Sequence, residues 1–210
     1  MSLQELGRKF GTDKSHHQHN GVTYLDIYAK HLDSKREEVK VVVEIGVWEG
    51  KSVKMWKEYF PNATIYGVDI DPNAQQYAED RVVIIQGDQN DPAFLRDLAE
   101  RLGEIDVVVD DGSHITQHQI CSYTHLSPAL APGGIYIIED LGCSYEAVVG
   151  PHDLRKIWPG MKYNKPDDEL TNVRRDLVDF TETQVNRLDA KDPRLFAIHH
   201  YFSILIFECF

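Results

Sequence analysis

Five short apolar runs punctuate the middle of the chain. They are Lys40–Gly46, Thr64–Ile70, Val82–Asp88, Ile105–Asp110 and Gly134–Ile138, each rich in Val and Ile and each ending in polar or acidic residues. Runs of this length with β-branched residues read as buried strands. Between them, stretches with apolar positions at helical spacing predict helices over Val53–Phe60, over Pro92–Leu102 behind an Asp91 cap, and over His114–Leu126, with Ser113 as N-cap. Strands alternating with helices predict a parallel sheet covered on both faces. Leu195–Phe202 and Ser203–Phe210 are two further strands with no room for a crossover helix, so they pair antiparallel. The expected fold is therefore α/β and Rossmann-like, a seven-stranded mostly parallel sheet with an antiparallel C-terminal strand.

Two segments flank this pattern. Residues 1–38 are polar and helical in tendency, with a helix over Tyr24–Leu32 and a loop, His16-His17-Gln18-His19, that reads as solvated or substrate-facing. They are expected to form an N-terminal helical cap on a domain spanning 39–210. The polar, Pro/Gly-punctuated section from about 141 to 168 is too long for an ordinary connection and reads as a lid or acceptor loop. Leu170–Leu188 reads as one helix.

Charge changes the picture by exclusion. With 34 acidic against 22 basic residues the formal net charge is −12, which argues against nucleic acid or an anionic membrane as the main partner. No apolar run is long enough to insert in a bilayer. Three widely spaced cysteines without a CxxC pair and an N-terminus without an apolar core segment fit a cytoplasmic chain with reduced thiols.

Candidate chemistry collects at the carboxyl ends of the strands, where open α/β sheets bind ligands. The first strand runs into Glu44-Ile45-Gly46-Val47-Trp48-Glu49-Gly50, a glycine pattern unlike that of dinucleotide folds, whose two glutamates suit a ligand carrying a cation. Asp69 ends the second strand and is placed to accept ribose hydroxyls; Asp88 and Gln89 follow the third and could meet an adenine edge. The fourth ends in Asp110-Asp111-Gly112-Ser113-His114 and the fifth in Glu139-Asp140. If these two strands adjoin, Asp111, Glu139, Asp140 and His114 converge. His114 and His118 stand four apart, but no glutamate follows His114 as a zinc hydrolase would require.

Together these motifs resemble the class I S-adenosylmethionine-dependent methyltransferases. Gly11-Thr12-Asp13-Lys14, Glu44-Ile45-Gly46-Val47, Gly87-Asp88-Gln89, the Asp110–His114 stretch and Gly134–Leu141 narrow the resemblance to metal-dependent sugar O-methyltransferases acting on macrolide sugars and mycobacterial mannose-containing polysaccharides. The resemblance implies S-adenosyl-L-methionine and Mg²⁺ as cofactors. It implies donor contacts from Thr12, Lys14, Glu44, Gly46, Gly50, Ser52, Asp69, Asp88, Gln89 and Asp110. It makes Asp111, Glu139 and Asp140 the metal ligands and His114 the general base, Asp111 sharing in catalysis. A sugar-containing small molecule or oligosaccharide is the implied acceptor, with a homo-oligomer possible. The macrolide enzymes carry a further N-terminal domain, so oligomeric arrangement and acceptor do not transfer.

An aliphatic hydroxyl is a poor nucleophile at neutral pH. It needs both a divalent cation to lower its pKa and a base, and histidine titrates in the useful range. Two rival readings use the same residues: a metal-dependent catechol O-methyltransferase, for which a histidine base matters less, and a non-catalytic nucleotide-binding subunit. Cys143, Tyr145, His152, Trp158 and Tyr163 are candidate acceptor-pocket residues.

Overall fold

The computed structural model describes residues 1–144 and 174–210. Most of the expected acceptor loop, with Tyr145, His152, Trp158 and Tyr163, lies outside the described residues.

Helix α1 (Leu3–Phe10) opens with a capping box in which Ser2 and Glu5 satisfy each other's backbone N–H groups. A two-stranded ribbon, β1 (Gln18–His19) with β2 (Val22–Thr23), occupies the histidine-rich loop. Helix α2 (Tyr24–Leu32) starts from a second capping box, Thr23 with Asp26. Then come β3 (Val41–Ile45), α3 (Lys51–Tyr59), β4 (Thr64–Asp69), β5 (Val82–Gln86), α4 (Pro92–Leu102), β6 (Ile105–Asp110), α5 (Thr116–Leu126) and β7 (Leu130–Ile138). Helix α6 (Arg174–Asp189) and the hairpin β8 (Leu195–Tyr201) and β9 (Ile204–Cys209) complete the described chain.

The main sheet has seven strands in the order β5-β4-β3-β6-β7-β9-β8, with β9 antiparallel to both neighbours and the rest parallel. This is the expected Rossmann-like α/β architecture. Because side chains alternate along a strand, each strand feeds two cores. Val42, Val107, Val109, Ile135, Ile137 and Ile206 pack with residues of α1, α2 and α3 on one face. Val43, Ile45, Val108, Tyr136, Ile138 and Phe207 pack with residues of α4, α5 and α6 on the other. No helix among the described residues is long and apolar enough to cross a membrane.

The register sets the site. Ile45 stands opposite Asp110, and Asp110 opposite Ile138. The residues that follow, Gly46, Asp111 and Glu139, therefore adjoin across three strand ends.

One local expectation is corrected. The helix after β6 begins at Thr116, not at His114, and its N-cap position is Ile115, without a side-chain cap. Ser113 caps nothing in that helix; its hydroxyl accepts from Ile115 N and lies 2.9 Å from His118 Nδ1. The physical reason is His114, whose φ of +56° breaks the helical path two residues before it can start.

Candidate active site at the strand ends

A cleft of about 1150 Å³ opens along the carboxyl ends of β3, β4, β5 and β6. Of the residues expected to meet the donor, Thr12, Gly46, Ser52, Asp69, Asp88 and Gln89 line it. Gly46 takes φ +90°, and a side chain there would strike the carbonyl of Asp111, so the β3–α3 loop can lie against the β6 turn because this residue is glycine. Asp69 anchors that loop by accepting from Val47 N (2.8 Å) and Trp48 N (3.1 Å). Trp48, also at positive φ and 72% exposed, presents its indole at the cleft.

Four expected donor contacts do not line the cleft: Lys14, Glu44, Gly50 and Asp110. For Asp110 the reason is strand alternation. Its side chain turns to the α5 face, where it is fully buried, accepts from Gln89 Nε2 (3.0 Å) and from Ser122 Oγ, and is held up at about 6, chiefly by burial. Gln89 in turn accepts from Ser113 N at 2.6 Å, so it braces the Asp110–His114 turn. Gly50 sits under the Tyr77 ring.

Glu44, Asp111 and Glu139 share the opposite face with Lys14, which reaches in from the segment after α1. The Lys14 ammonium is 1% exposed. It donates to Asp111 Oδ2 and to Glu139 Oε2 (3.0 Å), and stands 3.7 Å from Glu44 Oε1. These partners outweigh the burial that opposes its charge and hold its pKa well above the usual lysine value. One cation does not neutralise the acids. Burial, opposed by Lys14, pushes Glu44 up to about 7. Burial also raises Asp111 and, with the Asp111 charge adding to it, lifts Glu139 well above the carboxylate range.

Asp111 faces a second group as well. Ligand atoms of Asp111, His114 and Asp140 lie within 4.8 Å of one another. His114 Nε2 is 3.8 Å from Asp140 Oδ2, and Tyr24 OH donates to Asp140 Oδ1 at 2.7 Å. His114 and Asp140 both hold left-handed backbone, φ +56° and +55°. Such strain costs on the order of 1–3 kcal/mol per residue and persists where the surroundings enforce it. Here it aims both side chains into the cleft, which they line with Asp111. Glu139, the third expected ligand, is not among the lining residues and turns to Lys14.

The donor set fits a hard divalent ion. Three carboxylates (Glu44, Asp111, Glu139) crowd one ammonium and Asp140 stands beside Asp111; their oxygens are the ligand type Mg²⁺ prefers, and the three around Lys14 are pushed toward protonation without further positive charge. Sequence reasoning missed Tyr24, read as one more apolar position of α2, and the structural use of Lys14. Neither left a local signal, since their partners lie 116 and up to 125 residues away.

The seven-stranded sheet has the Rossmann-like methyltransferase fold, and residues 43–141 match the family model of a methyltransferase domain. Beyond that match, the chain is similar over most of its own length to O-methyltransferases. It is 41% identical, over 81% of its length and 43% of the relative's, to the 8-demethyl-8-α-L-rhamnosyl tetracenomycin-C 2′-O-methyltransferase of Streptomyces olivaceus. It is 33% identical to demethylmacrocin O-methyltransferase of Streptomyces fradiae, over 98% of this chain and 52% of that one. Among solved structures, the MycE methyltransferase of mycinamycin biosynthesis, in complex with Mg and SAH, superposes with a TM-score of 0.76 at 32% identity, covering 100% of this chain and 55% of that one. The chain thus spans about half the length of the curated relatives it matches.

Proposed function

We propose that this protein is a Mg²⁺-dependent, S-adenosylmethionine-dependent O-methyltransferase acting on a sugar hydroxyl. The observation that carries the reading is the meeting of Asp111, Asp140 and His114 at the lip of the donor cleft. Its support from relatives is that the MycE structure in complex with Mg and SAH also holds mycinamycin VI in a second crystal, at 30% identity and a TM-score of 0.77.

Asp111, Glu139 and Asp140 would hold the ion, with Lys14 balancing part of their charge. When bound, the ion lowers the pKa of an acceptor hydroxyl and the sulfonium donor supplies an already activated methyl group. The chain does the rest. Asp140, held by the Tyr24 hydroxyl, places a carboxylate 3.8 Å from His114 Nε2. The His114 imidazole takes the hydroxyl proton as the oxygen attacks. Asp69 holds the loop carrying Trp48, which lines the cleft. His114 precedes α5 rather than lying in its first turn, so its role rests on position and not on the helix dipole.

The test is transfer of a labelled methyl group to a panel of glycosides and catechols, with Mg²⁺ or with EDTA. His114→Asn is the informative variant, because asparagine tolerates the left-handed backbone that alanine would strain. Sugar methylation that EDTA abolishes, and that falls by roughly 10²–10⁴ in kcat in the variant, is expected. Transfer to catechols with little loss in the variant, or sugar methylation indifferent to EDTA, overturns the proposal.

A further inference from the structure

At the far edge of the sheet a second cluster stands apart from the cleft. His199 on β8 pairs with Ile206, and Glu208 on β9 pairs with Ala197, so His199, Tyr201 and Glu208 share one face of the hairpin. Helix α2 lays His31 across that face. His31 Nδ1 is 2.6 Å from Glu208 Oε1, and His199 Nε2 is 3.3 Å from the same oxygen. The two imidazoles lie 4.6 Å apart between centroids. The three ligand atoms fall within 4.8 Å of one another. His199 Nε2 is shielded from solvent and makes no hydrogen bond. His31 Nε2 lies 2.9 Å from the Tyr201 hydroxyl.

We propose that His31, His199 and Glu208 form a second metal site, for a zinc-type transition ion rather than magnesium. Two imidazole nitrogens and one carboxylate oxygen suit zinc and its neighbours, whereas magnesium prefers an all-oxygen shell. Around a tetrahedral ion with bonds of about 2.0–2.1 Å, ligand atoms stand about 3.3 Å apart. The His199–Glu208 spacing already matches, and the His31–Glu208 contact has to open by about 0.7 Å on that same geometry. Tyr201 supplies the partner on the far ring nitrogen that fixes the orientation of a ligating histidine. The site is a staple. It would tie α2, whose Tyr24 holds Asp140, to the hairpin whose Ser203 accepts from Leu141 N (3.1 Å) and Gly142 N (2.9 Å). It owes nothing to the methyl-transfer reading.

The test uses the full chain stripped of metal, with excess Mg²⁺ present to occupy the Asp111 carboxylates, and titrates Co²⁺ as a spectroscopic stand-in for zinc. One equivalent giving the intense visible bands of a four-coordinate nitrogen–oxygen site, displaced by Zn²⁺ and accompanied by a rise in Tm, is expected. His199→Gln and Glu208→Gln, checked for intact secondary structure by circular dichroism, should each weaken Co²⁺ by at least about tenfold, and Tyr201→Phe by about tenfold. Replacing His16, His17 and His19 together by Gln should change nothing. The proposal is overturned if wild-type protein gives no such bands, if they survive His199→Gln, or if they vanish with the triple replacement.

Discussion

Lys14 offers the sharpest energetic test of the site. Replacing it by methionine keeps the buried volume and removes the one ammonium between Asp111, Glu139 and Glu44. Removing one member of a buried charge cluster typically costs about 3–5 kcal/mol, because the remaining charges are left without compensation. Here the acids can take up protons, Glu44 already sitting at about 7, so the lower end, about 3 kcal/mol, is expected. For a chain of this size that is a fall in Tm of roughly 6–12 °C.

The pH dependence follows from the signs. Lys14, raised well above its ordinary value, stays charged in wild type throughout pH 5–9. The acids are raised in the folded state, so that state holds more protons than the unfolded chain, and stability falls as pH rises from about 4.5 to 7. Lys14→Met raises them further, so its deficit widens from pH 5 to pH 8. Mg²⁺ should rescue the variant more than wild type, since the cage now lacks its own cation. Urea unfolding at pH 5 and 8, with Mg²⁺ or EDTA, reads both effects. A loss under about 1 kcal/mol without metal, against the 3–5 expected for a broken buried pair, or equal stabilisation of both proteins by Mg²⁺, would refute the reasoning.

Three further outcomes are expected. Asp110→Asn should flatten the fall in stability between pH 4 and pH 6, because Asp110 titrates at about 6 when folded and 3.8 in the reference state, a difference of about 3 kcal/mol; an unchanged slope in pH-resolved urea unfolding would count against its burial as the cause. Tyr24→Phe should leave the fold intact but weaken Mg²⁺ about tenfold by freeing Asp140, read from the Mg²⁺ concentration that gives half the Tm rise. Gly46→Ala should abolish binding of S-adenosylhomocysteine in calorimetry, since φ +90° and the Asp111 carbonyl leave no room for a methyl group; retained affinity would show that the loop can move aside.

The sheet was legible because its runs are apolar, short and regularly interrupted, and the closing hairpin because two strands met with no crossover between them. The convergence of Asp111 with Asp140 and His114 followed from strand ends that turned out to be neighbours. What went astray did so for identifiable reasons. Asp110 is expected to touch the donor, yet Val108 and Asp110 share the α5 face of their strand while Asp111 takes the other, so Asp110 turns away from the cleft; that alternation is in the sequence. The left-handed backbone at His114 could not be foreseen, because it is imposed by packing and not by residue type. Lys14 enters as a donor contact only through the resemblance that Gly11-Thr12-Asp13-Lys14 helps to carry, while its partners Asp111 and Glu139 follow β6 and β7, far along the chain. The zinc-type cluster was invisible for the same reason: His31, His199 and Glu208 meet through packing alone.

These placements change how the segment before residue 39 is understood. On the β3–β6–β7 face, the sheet by itself would bring Glu44, Asp111 and Glu139 together with no positive charge between them. Such a surface resists folding at neutral pH, as the raised values of all three acids indicate. The compensating ammonium comes from Lys14 and the hydroxyl that fixes Asp140 from Tyr24, both in the first 38 residues, and Leu3, Leu6, Leu25 and Tyr28 from the same segment share the core with β3 and β6. The boundary drawn at 38/39 therefore separates groups that are chemically one unit. The sheet contributes the acids, the preceding helices contribute what makes it tolerable to bury them, and the negative charge left over is what remains available to a divalent ion.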